Sequence, residues 1–404
     1  MNQIVLRKIA EEYQTPAYVF DLDMLRKRVA LIRNCLQKEL GERVGICYAM
    51  KANPFLISPL KKYVDCYEVC SPGEFRICEK AGISMEQIVL SGVNKEKRDI
   101  AYTIGKYKNV GIYTIESRQH LQILESCAAA EGMTIRALIR VTSGNQFGVD
   151  EDEVMDMIAH RDEYPHIDIL GIQSYSGTQK KKWSKREKEL DYLDELCDRI
   201  QTETGLEVQH LEYGPGFYVP YFEGDEEVDD TALLEQFARK LQSMRFSGKI
   251  TLEMGRYLTA YCGYYLTSIV DQKTNKGQKY CIVDGGIHHL NYFGQAMAMK
   301  IPHHRQMKHR ECIEGKIENW NVCGSLCTVN DVIVKQLPLC QAEPGDILVF
   351  ERVGAYSVTE GMYLFLSRDL PRILFYEDGE IREVRRPRGT DEINCVEVDK
   401  GIGK

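Results

Sequence analysis

A lysine ends the apolar part of the run Val44–Pro54 (VGICYAMKANP), and small, turn-forming residues follow it at once. An ammonium at the end of a buried strand is partly desolvated, which lowers its pKa and makes the amine a usable nucleophile. Such an amine forms a Schiff base with a carbonyl or with pyridoxal phosphate (PLP). Most lysines near strand ends are solvated surface groups, so Lys51 counts only if the chain supplies the rest of a cofactor site. Further along stand Arg140, Tyr175-Ser176-Gly177-Thr178, Gly214-Pro215-Gly216 and Glu253-Met254-Gly255-Arg256. A glycine-rich turn lets backbone N–H groups approach a phosphate closely.

These residues need a scaffold that brings them to one place. From about residue 43 to 257, short apolar runs alternate with longer amphipathic ones. Eight strands are expected at 43–50, 66–70, 88–92, 110–115, 136–141, 168–175, 210–214 and 249–253. Helical periodicity fills 55–63, 72–81, 95–107, 117–131, 151–162, 183–204 and 230–244, with Ser71-Pro72 and Ser117 placed as caps. Strand–helix alternation implies a parallel sheet, and eight units without a dinucleotide-type glycine loop point to a (β/α)8 barrel. In a barrel, the candidate groups all fall at the C-terminal ends of strands, where such folds place their chemistry.

After residue 257 the pattern changes to strands with little helical periodicity. They are expected at Gly263–Asp271, Gln278–Val283, Lys316–Val322, Asp331–Val334, Asp346–Phe350 and Ile373–Tyr376. The fold class is therefore α/β: a barrel over 21–257 and a C-terminal β domain over 258–404, joined by residues 1–20 with their extended run Ala17–Phe20.

The chain has 404 residues, is 44% hydrophobic and 28% charged, and carries a net charge of −8. That balance suits a soluble globular protein and gives no reason to expect nucleic acid or an anionic membrane as partner. The N-terminus lacks the apolar core of a signal peptide, and no apolar run approaches a membrane span. A cytoplasmic protein is expected, with its fourteen cysteines as reduced thiols. Cys66/Cys70, Cys323/Cys327 and the pairs His288–His289 and His303–His304 lack the companions of a zinc site, so no metal is expected.

Over nearly its whole length the chain resembles the fold-type III PLP-dependent decarboxylases, which include diaminopimelate, ornithine and arginine decarboxylases and are distantly related to alanine racemase. Tyr48-Ala49-Met50-Lys51-Ala52-Asn53 resembles the PLP-lysine motif, and Ser176-Gly177-Thr178 and Gly214-Pro215-Gly216 the phosphate-binding segments. Glu253–Arg256 resembles the E-P-G-R motif. Cys323–Asp331 (CGSLCTVND) resembles the segment whose cysteine enters the neighbouring subunit's site, and Gly354-Ala355-Tyr356 the G-A-Y whose tyrosine reaches the PLP phosphate. The resemblance implies a head-to-tail homodimer with two shared active sites. It implies Lys51 as the PLP lysine, Glu253 at the pyridine nitrogen and Glu68 as an acid near the lysine. Arg256 would lie near the phosphate or a substrate carboxylate, and Cys327 would be the proton donor. Arg140, Tyr175, Thr178, Gly214, Gly216, Gly255 and Tyr356 complete the implied cofactor site. Alanine racemases place an arginine where Glu253 stands, so the glutamate favours loss of CO₂ over racemisation.

Four departures bear on the substrate. Tyr175 replaces the histidine that stacks on the PLP ring, and an aromatic face still stacks. Thr328 stands where diaminopimelate decarboxylases have a glutamate contacting the distal amine. In Asn291–Ala296 (NYFGQA), the family's arginine and tyrosine become Tyr292 and Ala296. The stretch Arg140–Gly148 (RVTSGNQFG) is short. Losing charged distal contacts weakens selection of a zwitterionic side chain. The expected substrate is a modified or carrier-tethered amino acid, contacted by Arg256, Tyr292, Cys327 and Thr328. The alternatives are a true meso-diaminopimelate decarboxylase making lysine, an amino-acid racemase, and a non-catalytic PLP-binding protein. Lys180–Lys182 with Lys185, Arg186 and Lys188 offers an acidic carrier protein a dock, or else forms a solvated face paired with Glu223–Asp230.

Overall fold

The computed structural model describes residues 1–108, 110–309 and 315–396. Cys312 lies outside them; the other thirteen cysteines are free thiols. The chain divides into two compact units. One comprises 26–219 and 227–258; the other comprises 1–25, 220–226 and the chain from 259 onward.

In the first unit eight parallel strands close into a barrel in chain order. They are Val44–Ala49, Cys66–Val69, Ile88–Leu90, Ile112–Ile115, Ile135–Val141, Ile167–Tyr175, His210–Gly214 and Lys249–Met254. The expected barrel and its eight strands are borne out. Strands covered on both faces must be nearly all apolar, and Val44–Ala49 is buried at every position. Pairing of Cys47 with Glu253 and of Ala49 with Glu68 fixes which side chains share a level. Most crossover helices follow the periodicity. Ser71 accepts from the Glu74 N–H and Ser117 from the His120 N–H, and Gly205 ends Trp183–Thr204 in the left-handed region.

The segment expected as one helix over 55–63 is instead a 3₁₀ turn, Pro54–Leu56, followed by the short helix Ile57–Leu60. Pro54 and Pro59 have no N–H to donate, so a full helical ladder cannot form there. The helix Leu22–Leu40 is absent from the expectation. Its buried Leu22, Leu25, Val29, Ile32, Leu36 and Leu40 recur every three or four residues, a pattern that was legible.

Among the described residues of the second unit, nine strands form one mixed sheet. The path runs Val332–Cys340, Ile317–Cys323, Gln278–Val283, Gly263–Asn275, Ala17–Asp21, Arg372–Glu377 and Glu380–Arg385; Ile347–Glu351 also pairs with Gly263–Asn275 and in turn with His304–Met307. Ala17–Asp21 runs antiparallel to Gly263–Asn275 and parallel to Arg372–Glu377. Two strands were not anticipated, because HRQM and EIREVR carry no apolar alternation. Neither was the helix Gln3–Tyr13, which buries Leu6, Ile9 and Ala10 against Val19, Leu266 and Val349. Among the described residues, no helix is long and apolar enough to cross a membrane.

The barrel carries one local irregularity with an energetic cost attached. Register slips between Ala137 and Leu138, opposite Gly171, whose φ is +154°. A Cβ there would lie 2.1 Å from the His210 carbonyl oxygen. Gly171→Ala is therefore expected to lose about 2–3 kcal/mol of stability in urea unfolding, and an unchanged midpoint would contradict this account of the bulge.

Candidate active site

Lys51 sits in the 3₁₀ turn Met50–Ala52, directly beyond the first barrel strand. Its Nζ donates to Glu68 Oε2, lies 3.4 Å from Glu253 Oε1 and 3.7 Å from Cys70 Sγ. The amine is partly exposed, whereas Glu68 is buried and the Glu253 side chain is 9% exposed. The electrostatics split the two acids. Burial raises Glu68, but the Lys51 charge and hydrogen bond outweigh it and hold this carboxyl below the usual range. Burial, and then the ionised Glu68 beside it, push Glu253 upward. A protonated Glu253 hydrogen-bonds with Glu68, so one proton and one ammonium serve two acids.

The other barrel candidates reach the same rim. Arg140 ends the fifth strand, with Nη1 3.2 Å from Glu116 Oε2 and its guanidinium 4.7 Å from the Phe147 ring centre. Glu116 also accepts the Gly148 N–H, which closes the short Arg140–Gly148 loop on itself. Tyr175 ends the sixth strand, and its phenol hydrogen-bonds with Thr178. Tyr175 pairs with Gly214, where a Cβ would meet the Tyr175 ring at 2.3 Å. Gly216 has φ +59°, and a Cβ there would lie 2.1 Å from the Gly177 oxygen. Gly255 faces Ala52, so glycine is needed where the turn beyond the eighth strand passes the lysine turn. Arg256 is buried and follows at once.

Two loops are stitched together beneath this rim. Lys180 N–H donates to the Gly216 carbonyl at 2.9 Å, and the Gln179 amide exchanges two hydrogen bonds with the Val219 backbone. The donor set fits a phosphorylated aldehyde: a reachable amine, a carboxyl that holds its proton beside it, and glycine turns that expose backbone.

The four remaining candidates lie in the second unit. Cys327 is exposed and Thr328 half-buried on one loop, pinned by the buried Asp331 carboxylate, which accepts from Ile287 N and Leu326 N at 2.8 and 2.7 Å. Tyr292 is buried against Tyr221 and Phe222, and its hydroxyl donates to the Glu351 carbonyl at 2.7 Å. Tyr356 is half-buried with φ +66°.

Residues 22–260 match the family described as "Pyridoxal-dependent decarboxylase, pyridoxal binding domain". The chain belongs to this family. It is a pyridoxal-dependent decarboxylase, a carboxy-lyase, and the cofactor and family expected from its motifs are borne out. It is 26% identical over 98% of its length, and 97% of the relative's, to an "L-glutamyl-[BtrI acyl-carrier protein] decarboxylase" of Niallia circulans. It is 24% identical to a diaminopimelate decarboxylase of Aquifex aeolicus, covering 96% of this chain and 93% of that one. The crystal structure of diaminopimelate decarboxylase from Helicobacter pylori complexed with L-lysine superposes with a TM-score of 0.84 at 24% identity, over 96% of this chain and 98% of that one; this shows the shared fold. The racemase and silent-binder alternatives are not favoured by these matches.

Sequence reasoning passed over three groups that shape the decarboxylase's rim. Glu116 follows the fourth strand as Arg140's counter-ion. Glu212, in the seventh strand, accepts from Gln173 Nε2 at 2.8 Å, and burial followed by the Glu253 charge pushes it up to about 8. Glu189, on the helix after the sixth strand, accepts from Ser176 Oγ, Lys180 Nζ and Tyr213 OH at 2.6, 2.6 and 2.7 Å. An acid just past a strand end was a readable signal for Glu116; Glu212 stands mid-strand, and Glu189 has no such signal, because its partners come from the loop 176–180 and from the seventh strand.

Two predictions follow from these acids. A carboxyl whose folded pKa lies above its unfolded one costs stability as pH climbs between the two, here from the ordinary 4.5 to about 8. Glu212→Gln, which still accepts from Gln173, should thus gain in Tm over the parent at pH 8 relative to pH 5; a gap that stays level across that range would contradict a protonated Glu212. Glu189→Ala removes the shared acceptor under both loops and should raise the Kd for PLP by about tenfold, read by equilibrium dialysis. Unchanged cofactor affinity would show that the loops hold their shape without it.

Proposed function

We propose that this decarboxylase removes the α-carboxylate of an amino acid whose side chain is modified or joined to a carrier protein. The observation that carries the reading lies beside Thr328. A cavity of about 820 Å³ in the second unit is lined by Thr328, Val329, Tyr280, Asn321 and Lys335, and its one carboxylate, Asp331, is spent on backbone N–H groups. Among the described residues a distal ammonium finds no other counter-charge there, so a diamino acid gains nothing over an acylated side chain. The resemblance to a decarboxylase named for a carrier-bound glutamyl group supports the same reading. So does the basic segment, in modified form. Lys180 and Arg186 are buried, leaving Lys181, Lys182, Lys185 and Lys188 exposed at a helix start that has no side-chain cap. Cations there oppose the helix dipole, a cost that docking of an acidic partner offsets.

The bound cofactor supplies an electron sink for the pair left behind when CO₂ departs. Lys51 is its covalent anchor. The proton held on Glu253 is available to the ring nitrogen, which strengthens that sink, while Glu68 keeps a charge beside the lysine amine. The glycine turns at 177, 214–216 and 255 and Thr178 would hold the phosphate, with Arg256 near it, and Tyr175 would offer its ring as a stacking face. Arg140, fixed by Glu116, borders the same rim. The reading includes a homodimer in which Cys327, as proton donor, Thr328 and Tyr356 serve a second copy's site. It also places the enzyme in the cytoplasm, where free thiols persist.

The test is CO₂ release from free glutamate, meso-diaminopimelate and a glutamyl thioester of a carrier protein. The thioester should turn over fastest, and reversing the charge of Lys181, Lys182, Lys185 and Lys188 together should raise its KM with kcat held. Preference for meso-diaminopimelate would overturn the substrate reading. Lys51→Ala should lose roughly 10³-fold in CO₂ release and all borohydride-fixable cofactor in the mass spectrum.

A further inference from the structure

One cavity of the barrel unit has been given no role above, although it meets the active site at Cys70. It measures about 400 Å³ and is walled by Val69, Phe75, Leu90, Ile100 and Tyr102 between the helices Pro72–Lys80 and Lys97–Lys106. Apolar walls alone would suit any greasy molecule. What distinguishes this space is Lys95, which lines it and is 7% exposed. Its ammonium donates to the Gly92 carbonyl at 2.7 Å, and among the described residues it forms no ion pair with a carboxylate. The other charges of the lining largely cancel, because Arg98 sits between Glu96 and Asp99, with Arg76 exposed at the edge.

A buried ammonium costs several kcal/mol unless it is paired, and one carbonyl satisfies a single one of its three donors. Burial accordingly pulls Lys95 down to about 8, against the upward pull of Glu116 and Cys70. An anion delivered into the cavity recovers that cost and leaves the apolar walls for the rest of the ligand. The volume accommodates a ring with a short chain.

We propose that this cavity is a binding site for a small amphipathic monocarboxylate, its carboxylate paired with Lys95 and its body against Phe75, Leu90 and Ile100. The site adjoins the catalytic lysine through one residue. Cys70 lines the cavity, donates its thiol to Glu68 Oε1 at 3.1 Å and lies 3.7 Å from Lys51 Nζ. A ligand against Cys70 therefore presses on the hydrogen-bonded group that holds the lysine. The carboxylate has two sources, a separate small molecule or an arm of the substrate itself.

Calorimetry on the PLP-loaded protein at pH 7, with 3-phenylpropionate and its neutral isostere 3-phenylpropanamide, tests the site without reference to turnover. The carboxylate should bind about tenfold more tightly than the amide, and Lys95→Met should erase that difference. Equal affinities in the unaltered protein, or no binding of either, would overturn the proposal whether or not the variant folds. CO₂ release in the presence of 3-phenylpropionate then separates the sources. A raised KM with constant kcat assigns the site to a substrate arm, and a changed kcat assigns it to a separate ligand. Binding with neither parameter altered would refute the connection through Cys70.

Discussion

Two carboxyl groups share a single ammonium on the floor of the barrel rim, and they cannot both carry full charge in so little water. Lys51 stabilises the ionised Glu68, which leaves Glu253 as the acid whose proton affinity is raised. That division sets the chemistry: an ammonium beside an ionised carboxylate able to take its proton, and 3.4 Å away a second carboxyl whose proton affinity is raised. Neither acid would behave this way alone. A solvated Glu253 would be ionised at neutral pH, and an unpaired Glu68 would be driven upward by its own burial. The lysine's position at the edge of the buried floor makes the difference, because it reaches both oxygens from the half-exposed side.

The barrel exists, for this purpose, as a device for register. Cys47 sits beside Glu253 and Ala49 beside Glu68, a stagger along the first strand that leaves both acids within reach of Lys51 just beyond its end. The glycines around the rim serve the same end by close approach. Gly214 makes room for the Tyr175 ring, Gly216 for the Gly177 carbonyl and Gly255 for the lysine turn. Glu189 ties the sixth-strand and seventh-strand loops from below with three short hydrogen bonds. Buried acids with raised or lowered proton affinity thus recur around the rim, each paired with a different neighbour.

The second unit meets a different constraint, that of fixing the shape of the exposed loop that carries Cys327. Asp331 does so by accepting two backbone N–H groups from two segments, which spends the one carboxylate near Thr328 on structure. The basic segment after Gln179 is divided in a similar way. Lys180 is consumed by Glu189 and Arg186 by burial against Phe217, and only the remaining lysines face solvent. A charge run counted in the sequence therefore overstates the patch a partner meets.

Much of this was written in the residues themselves. Strand and helix periods gave the eight-fold alternation, since parallel strands buried on both faces and one-sided helices leave distinct apolar patterns. That Lys51, Glu253 and the glycine turns gather at one rim was legible because all of them fall at the C-terminal ends of barrel strands. The elements that escaped were the polar strands His304–Met307 and Glu380–Arg385, and the broken helix after Pro54, where local pattern is weak or misleading. What the sequence could not decide was protonation and partnership. Which carboxyl holds the proton, which lysines are buried and which acid props a loop depend on distances between segments far apart in the chain, and charge interactions respond to those distances and to burial, not to order along the backbone.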